Sequence, residues 1–346
     1  MLRRRKVIAA VVVLVLLFII AGLNTSVASI DQKIGSSPVR IIVSIEMLKM
    51  IISPILSGVG EVHSIISGEV EPHSFTLTPE IIENVSKADL IVITGHIEWE
   101  EELIKGVAET KGVGADQISI NLLKLNEIRI LDLNGERNLH GFWLLPDNAL
   151  IIAREVKEKI SKIRPDLSQK VTENYEEFER RVISLKNFLN GLSDKYGGVR
   201  GKSIVIGFYT EQYVAETIGL RVSSVLISEE GNVRPEMIRS IYEGLKSGEY
   251  ACVIISDAAL LIENVKRALE EIYEKTSCPV AYILTVSPNS LESYDAVMYY
   301  NAGQIYSALL ARRSLGLGSS DIYPFIIASL LAVVAFETVL LFRRRD

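Results

Sequence analysis

Apolar side chains recur every three or four residues between positions 168 and 195. The apolar positions of this stretch are Val171, Tyr175, Phe178, Val182, Leu185, Phe188, Leu189 and Leu192. That spacing places them on one face of a helix, with a polar and mostly charged face opposite. Pro165 precedes the stretch and Gly197 follows it, as is typical of helix boundaries. At roughly 42 Å, the helix is interpreted as a spine between two lobes, the alternative being one long helix of a single α/β domain.

Short β-rich apolar runs alternate with helical stretches on both sides of this helix. Before it, strands are predicted at 39–44, 62–66 and 88–94, weaker strands at 117–120 and 128–131, and helices at 45–56, from 80, 98–109 and up to 163. After it, strands are predicted at 203–206, 221–227, 251–255 and 279–284, and helices at 211–218, 235–245, 258–275 and 293–312. Strands separated by helices are typical of parallel βαβ units. The sequence therefore predicts an α/β protein with two β/α lobes.

The pattern of predicted strands and helices also divides the chain into two lobes, a bridging helix and a linker. An N-terminal lobe is predicted at 36–165, a bridging helix at 166–197 and a C-terminal lobe at 198–313. A linker is predicted at 314–321, where two glycines favour flexibility.

Each end of the chain carries an apolar segment flanked by basic residues. An apolar run begins after the basic residues 3–6, so residues 1–29 are interpreted as a signal peptide or an N-terminal membrane anchor. No cysteine lies near this segment, which argues against a lipid-anchored N-terminus. Residues 322–342 are mostly apolar and are followed by the basic residues 343–345, which predicts a transmembrane helix. Basic residues at both tips place them in the cytoplasm and residues about 30–320 outside the cell.

Composition narrows the classes of function. A chain of 346 residues, 48% of them hydrophobic and 23% charged, is expected to form one large or two medium globular domains. The net charge of −6 gives no basic footprint for nucleic acid. Cys252 and Cys278 lack the close spacing of a cysteine metal site, and Cys252 stands in an apolar run typical of buried side chains.

The four histidines are the main candidates for chemistry. His73 and His140 both fall in loops that carry proline or glycine, and open α/β sheets bind ligands at such loops. Two imidazoles from separate loops would begin a Zn²⁺ site, which needs two further nitrogen or oxygen ligands. A capping or surface role is the alternative for each. His96 follows a strand and is placed to orient a neighbouring ligand, whereas His63 stands in a strand and is interpreted as structural.

Motifs of nucleophilic catalysis and nucleotide binding do not occur in the sequence. There is no G-x-S-x-G, P-loop, G-x-G-x-x-G after a strand or H-E-x-x-H. The carboxylates are not paired for acid–base chemistry, so the sequence does not support an enzyme.

Five stretches resemble, in order, the zinc/manganese solute-binding proteins of ABC transporters, the TroA-like family. They are VEPHSFTLTPE (70–80), KADLIVITGHIEWEEEL (87–103), HGFWLLPDNAL (140–150), YVAETIGL (213–220) and SYDAVMYYNAGQIYSALL (293–310). The first and third resemble the two metal-ligand loops of the family. The resemblance extends over nearly all of residues 39–312.

This resemblance implies two β/α lobes bridged by a long helix, with a metal bound in the cleft by about four side chains. His73 and His140 match the first two ligand positions. Where the family carries a third ligand, this chain has Phe208, and Glu211 one helical turn later is the nearest carboxylate. Asp257 follows a strand at a position that is often acidic in the family.

The predicted metal ligands are therefore His73, His140, Glu211 and Asp257, and the supporting residues are His96, Glu71 and Trp143. Trp143 lies three residues after the histidine rather than the two usual in the family, which implies a one-residue insertion.

The implied function is capture of Zn²⁺, or less favourably Mn²⁺, for delivery to an ABC permease by a protein held to the membrane through its C-terminal helix. One alternative is the same fold without a complete metal site, binding another small solute or a partner protein. A metal-dependent hydrolase is a further alternative.

Overall fold

Two parallel four-stranded sheets, one in each half of the chain, form the frame of the protein. The structure is a computed structural model that describes residues 37–68, 72–196, 198–227, 233, 235–286 and 291–316. The described residues from Val39 onward belong to one compact unit. Both predicted apolar segments, 1–29 and 322–342, lie outside the described residues.

The N-terminal sheet contains β1 (Val39–Ile45), β2 (Gly60–Ile66), β3 (Leu90–Ile93) and β4 (Ser119–Asn121). Its order is β2-β1-β3-β4 and every neighbouring pair is parallel. A two-stranded antiparallel ribbon follows, formed by β5 (Leu131–Leu133) and β6 (Glu136–Asn138). The C-terminal sheet contains β7 (Ser203–Ile206), β8 (Arg221–Val225), β9 (Tyr250–Ser256) and β10 (Val280–Ile283) in the order β10-β9-β7-β8, again all parallel.

Helices connect the strands and cover both sheets. They are α1 (Glu46–Ile52), α2 (Pro79–Val85), α3 (Glu98–Lys111), α4 (Ala115–Ile118), α5 (Pro146–Ile163), α6 (Ser168–Lys195), α7 (Glu211–Ile218), α8 (Pro235–Ser247), α9 (Asp257–Leu260), α10 (Glu263–Thr276) and α11 (Tyr294–Gly316). The predicted α/β fold with parallel sheets in two lobes is confirmed.

The two sheets have the same topology. In each lobe the first strand lies between the second and the third, so the order is second, first, third, fourth along the chain. Connections leave the first and third strands in opposite directions, which opens a crevice at their carboxyl ends where α/β proteins bind ligands. The loops after β1 and β3 in one lobe, and after β7 and β9 in the other, are therefore the expected positions for a site.

Burial explains why the central strands read as unbroken apolar runs. The residues of β3, β7 and β9 are all buried, because helices cover both faces of a parallel sheet. One hydrophobic core extends through both lobes and includes Val171, Phe178 and Leu185 of α6. A second core lies between the N-terminal sheet and α3 and includes Trp99.

The long helix α6 has the predicted bounds but a narrower buried face. Phe178 is fully buried, whereas 46% of Phe188 is exposed. Phe188 instead packs edge-on against Tyr299 of α11, with ring centroids 5.0 Å apart. The apolar stripe therefore continues past the core onto a surface contact between two helices.

Two predicted elements differ in the structure. The weak strand at 128–131 is replaced by the ribbon, whose turn residues Asn134 and Gly135 have φ of 55° and 91°. Asn-Gly favours this two-residue turn, so the sequence did contain the signal for the hairpin. The single helix predicted at 258–275 is wrong, because extended Ile262 separates α9 from α10.

Within the described part of the chain, no helix has both the length and the apolar character that a membrane crossing requires.

Truncating the centre of α6 is expected to destabilise the fold. We expect Phe178→Ala to lower the free energy of unfolding by about 3–5 kcal/mol, since it leaves a cavity in the shared core. Phe188→Ala on the same helix is the matched control and should cost clearly less, because its ring is half exposed. Equal losses in urea denaturation of the two variants would contradict the burial assigned to this helix.

Candidate metal centre

Three histidines meet beside the carboxyl end of the N-terminal sheet. Ring centroids are 5.5 Å apart for His73 and His96, 5.4 Å for His73 and His140, and 5.2 Å for His96 and His140. Each ring offers one nitrogen, and these three nitrogens lie within 4.8 Å of one another. Tetrahedral Zn–N bonds of 2.0–2.1 Å require nitrogen separations of about 3.3 Å, so modest ring movements would complete three bonds to one ion.

A tryptophan on α3 holds the loop that carries His73. His73 lies in a short 3₁₀ helix, Pro72–Ser74. The indole Nε1–H of Trp99 donates to the carbonyl of Pro72 at 2.9 Å. The ring of Phe75 packs on the same indole, with centroids 4.9 Å apart. The hydrogen bond and the ring contact on either side of His73 fix its backbone against the lobe.

A sharp turn after β3 presents His96. Gly95 has φ of +92°, and a Cβ at this position would lie 2.0 Å from the Asn121 side-chain oxygen, so only glycine fits. The Thr94 hydroxyl lies 2.9 Å from Nδ1 of His96. The same hydroxyl lies 2.7 Å from a carboxylate oxygen of buried Glu100. Glu100 also accepts the backbone N–H of Thr94 at 2.8 Å and of Gly95 at 2.7 Å.

This network assigns the tautomer of His96. Thr94 has a single hydroxyl proton, and the Glu100 carboxylate, which accepts from backbone N–H groups, receives it. The Thr94 oxygen can then only accept from His96, so the proton of the imidazole is on Nδ1. Nε2 is left with its lone pair, which is the form of imidazole that binds a metal.

His140 lies at the seam between the two lobes. Its backbone N–H donates to the Asn138 side-chain oxygen at 2.9 Å. The Asn138 amide donates in turn to the carbonyl of Tyr209 and to Gln212, both at 2.8 Å. The next residue, Gly141, has φ of +94° and approaches Thr210 so closely that a Cβ would lie 3.1 Å from its Cα. The position of His140 therefore depends on contacts from the C-terminal lobe.

Burial keeps His96 neutral. The pKa of His96 is lowered from 6.5 to about 3, chiefly by its burial and further by the proximity of His140 and His73. A proton on this imidazole would be poorly solvated and close to two rings that can also carry charge. A ring that stays neutral at physiological pH keeps its lone pair available to a cation.

A cavity of about 70 Å³ adjoins the three histidines. Its walls are mostly apolar and come from both lobes, and include Ile45, Ile66, Ile97, Phe208, Ala258, Leu261, Ile262 and Val286. The ring of Phe208 faces His140 edge-on, with centroids 5.4 Å apart. The residue that replaces the expected third ligand thus packs directly against the cluster.

The two predicted carboxylate ligands do not join the histidine cluster. Neither Glu211 nor Asp257 lines the cavity. Glu211 accepts the backbone N–H of Phe208 and, at 2.7 Å, that of Ser256. Asp257 accepts the backbone N–H of Thr285 at 2.7 Å and its hydroxyl at 2.9 Å. Glu211 thus joins the loop after β7 to the end of β9, whereas Asp257 joins the start of α9 to the loop after β10. In this respect the structure differs from the predicted ligand set.

Glu211 is also set apart by its ionisation. Complete burial raises its pKa from 4.5 to about 8, although hydrogen bonds from Ser256 and Phe208 act in the opposite direction. The nearby carboxylate of Asp257 adds to the upward shift. A carboxyl that is protonated at neutral pH is a poor metal ligand.

The structure describes two of the three predicted supporting residues, Trp143 and His96. Trp143 stacks on His96, with centroids 6.1 Å apart and an interplanar angle of 29°, so it supports the cluster from the side. Glu71 lies outside the described residues. His96 stands within the cluster rather than behind it, which the sequence pattern did not indicate.

Three residues that position the histidines were missed from the sequence: Thr94, Trp99 and Glu100. A glutamate at the third position of a helix is a recognised capping signal. Glu100, the third residue of α3, could therefore have been predicted as a capping residue from the sequence. Nothing in the pattern connected Glu100, through the Thr94 hydroxyl, to the imidazole of His96 four residues earlier in the chain.

Comparison with known proteins gives one family and a consistent set of relatives. The family described as "ZnuA: Zinc-uptake complex component A periplasmic" matches residues 41–308. The chain is 23% identical over 266 residues to the manganese ABC transporter substrate-binding lipoprotein PsaA of Streptococcus pneumoniae serotype 4, covering 72% of this chain and 82% of PsaA. It is 24% identical over 267 residues to the iron ABC transporter substrate-binding lipoprotein MtsA of Streptococcus pyogenes serotype M1, with the same coverage of 72% and 82%.

Solved structures share the fold. A crystal structure of ZnuA superposes with a TM-score of 0.65 at 16% identity, covering 79% of this chain and 99% of ZnuA. The substrate-binding protein FpvC of Pseudomonas aeruginosa, solved in complex with Mn²⁺, gives a TM-score of 0.64 at 18% identity, covering 80% and 99%.

Removing the hydroxyl between Glu100 and His96 is expected to weaken metal binding. We expect Thr94→Val to lower Zn²⁺ affinity by about 10–100-fold, because the imidazole then loses the acceptor that fixes its tautomer. Thr110→Val is the matched control, since the Thr110 hydroxyl only donates to a carbonyl within α3. Isothermal titration would give the affinities, and ¹⁵N shifts of His96 would report the tautomer. Unchanged Zn²⁺ affinity and an unchanged His96 tautomer in Thr94→Val would refute the role of the hydrogen bonds from Glu100 through Thr94 to His96.

Glu211 makes stability depend on pH in a defined direction. Because its folded pKa of about 8 lies above the unfolded value of 4.5, its contribution is fully present below pH 4.5 and is lost as pH rises through 8. We expect the stability of the wild type relative to Glu211→Gln to fall by about 1.4 kcal/mol per pH unit across this window. Urea denaturation of both proteins at several pH values measures this difference. A difference that does not vary with pH would show that the carboxyl is not protonated in the fold.

Proposed function

We propose a function for this chain on the premise that it belongs to the family of ZnuA, the periplasmic component A of zinc-uptake complexes. The protein is the extracytoplasmic solute-binding component of a metal ABC transporter. It captures a divalent transition-metal ion at the histidine cluster and delivers it to the permease. The family consists of transport components rather than enzymes, in agreement with the relatives named substrate-binding lipoproteins.

The observation that carries this proposal is the convergence of His73, His96 and His140. Three imidazoles, joined by no carboxylate among the described residues, suit Zn²⁺, Cu²⁺, Ni²⁺ and Fe²⁺ better than Mn²⁺, which favours oxygen ligands. Zn²⁺ is therefore the proposed ligand and Mn²⁺ the second choice. The names of the relatives include manganese and iron, so the family itself accommodates more than one metal.

The proposed ligand set replaces Glu211 and Asp257 with His96. Both carboxylates already accept backbone N–H groups, and turning either of them toward the cluster would leave buried donors unpaired. Each unpaired buried donor costs about 1–3 kcal/mol. His96 needs no such rearrangement, because one of its ring nitrogens already lies within 4.8 Å of a nitrogen of each of the other two rings.

The two lobes have different parts in this proposal. All three ligands belong to the region 36–165, which we assign to the N-terminal lobe. The C-terminal lobe contributes Phe208 over His140 and the apolar walls of the cavity. Ion binding is thus a property of one lobe, and the other lobe excludes water from the bound ion.

Attachment to the membrane is proposed from the sequence pattern. The relatives are named lipoproteins, whereas the cysteines of this chain are Cys252 and Cys278, both far from residues 1–29. We assign anchoring to the apolar segment 322–342 and place residues about 30–320 outside the cell. The permease is the partner that this location requires.

Zinc titration of the full-length protein in detergent tests the proposed site. We expect one-to-one binding that His73→Ala, His96→Ala and His140→Ala each weaken by more than about 100-fold, because a lost ligand exceeds the 10–100-fold cost of a lost supporting residue. His63→Ala is the matched control, since the fourth histidine pairs with Glu61 on the surface at 3.1 Å. Loss of binding in Asp257→Asn together with full binding in His96→Ala would instead support the ligand set predicted from the family resemblance.

A further inference from the structure

Three protein ligands leave one coordination position of a tetrahedral ion to be filled. Zn²⁺ is almost always four-coordinate in stable sites, and three-ligand sites bind a small molecule in the fourth position. Among the described residues, no carboxylate or thiol joins the three imidazole nitrogens within the same distance of one another. The described residues therefore do not supply the fourth donor.

Two polar groups beside the cluster lack hydrogen-bond partners. The indole Nε1 of Trp143 and the hydroxyl of Thr210 are buried, and neither has a partner among the described residues. Both residues line the cavity next to the histidines, Trp143 from one lobe and Thr210 from the other. An indole N–H can only donate, and a threonine hydroxyl can donate. Unsatisfied buried donors of this kind indicate a missing acceptor, often a bound water or ion.

We propose that the site binds its metal ion together with a small monoanion, which fills the fourth coordination position and accepts hydrogen bonds from Trp143 and Thr210. This inference rests on the proposed function and names the chemical form in which the metal is held. The captured species is a metal–anion pair rather than a bare cation.

Charge favours a monoanion in this position. Three neutral imidazoles leave the full +2 charge of the ion beside walls made by Phe208, Ile262 and Val286. Placing net charge in an apolar environment is costly, and one anionic ligand halves it. The carboxylate of Glu46 also lines the cavity, but it already pairs with Lys49 at 3.1 Å and with the Ser64 hydroxyl.

Volume limits the size of the anion. The cavity measures about 70 Å³, which is space for a few water-sized groups. Beside an ion bound to the three rings, there is room for a ligand of one to three heavy atoms. Halides, azide and formate fall within this limit, and larger chelators do not.

The anion would also connect the two lobes. Thr210 packs against Gly141, directly after the ligand His140, so a donor of the C-terminal lobe lies next to the metal site. In this arrangement the C-terminal lobe contacts the captured species through the anion and not through a metal ligand of its own.

Visible spectroscopy of the Co²⁺-loaded full-length protein tests the proposal, with azide as the probe. We expect azide to change the cobalt absorption bands with saturable one-to-one binding. Thr210→Val should weaken azide binding by about two- to tenfold, the effect of one lost hydrogen bond. Thr217→Val is the matched control, because the Thr217 hydroxyl donates to a carbonyl within α7 and does not line the cavity.

Different outcomes separate this inference from the proposed function. If Co²⁺ does not bind, the proposed function itself is refuted. If Co²⁺ binds and the bands do not respond to azide, the inference is overturned and the function stands. A response that appears only in Glu46→Gln or Glu71→Gln would also overturn it, since a protein carboxylate would then hold the fourth position. Equal azide affinity in wild type and Thr210→Val would remove the role of the hydroxyl.

Discussion

The Asn138 side chain ties the metal cluster to the rest of the molecule. Its oxygen accepts the backbone N–H of His140, and its amide donates to Tyr209 and Gln212 in the opposite lobe. The residue is buried, so each of these bonds is made away from water and would be costly to leave unmade. One amide therefore sets both the backbone of a ligand and the approach of the C-terminal lobe.

Ionisation decides which side chains at this edge can take part in binding. The imidazole of His96 is neutral because burial and two neighbouring rings disfavour its charge, and its pKa falls to about 3. Two buried carboxylates serve structure instead. Glu100 accepts backbone N–H groups and the Thr94 hydroxyl, and through that hydroxyl it orients His96. Glu211 holds the start of α7 against β9, with a pKa raised to about 8.

The two sheets have the same strand order, but the loops at their carboxyl ends carry different side chains. Each has its crevice at the carboxyl ends of its first and third strands. In the N-terminal lobe, the loop after β3 carries His96, which has one ring nitrogen within the cluster. In the C-terminal lobe, the corresponding loops carry Phe208 and Asp257, an apolar ring and a carboxylate already engaged with Thr285. An ion can therefore be held by one lobe and covered by the other.

The sequence by itself determined the fold class, the bounds of α6 and the presence of His73 and His140 in loops, because all three depend on local periodicity and turn residues. It also contained, in Asn134-Gly135, the signal for the ribbon before His140. Only the tertiary structure decided that His96 joins the cluster, since His73 and His140 reach it from loops that are distant in the sequence. The hydrogen bonds that Glu211 accepts from the end of β9 and Asp257 accepts from the loop after β10 were likewise undetermined by sequence spacing. Hydrogen-bond partners that come from separate strands are set by packing, and no local pattern records them.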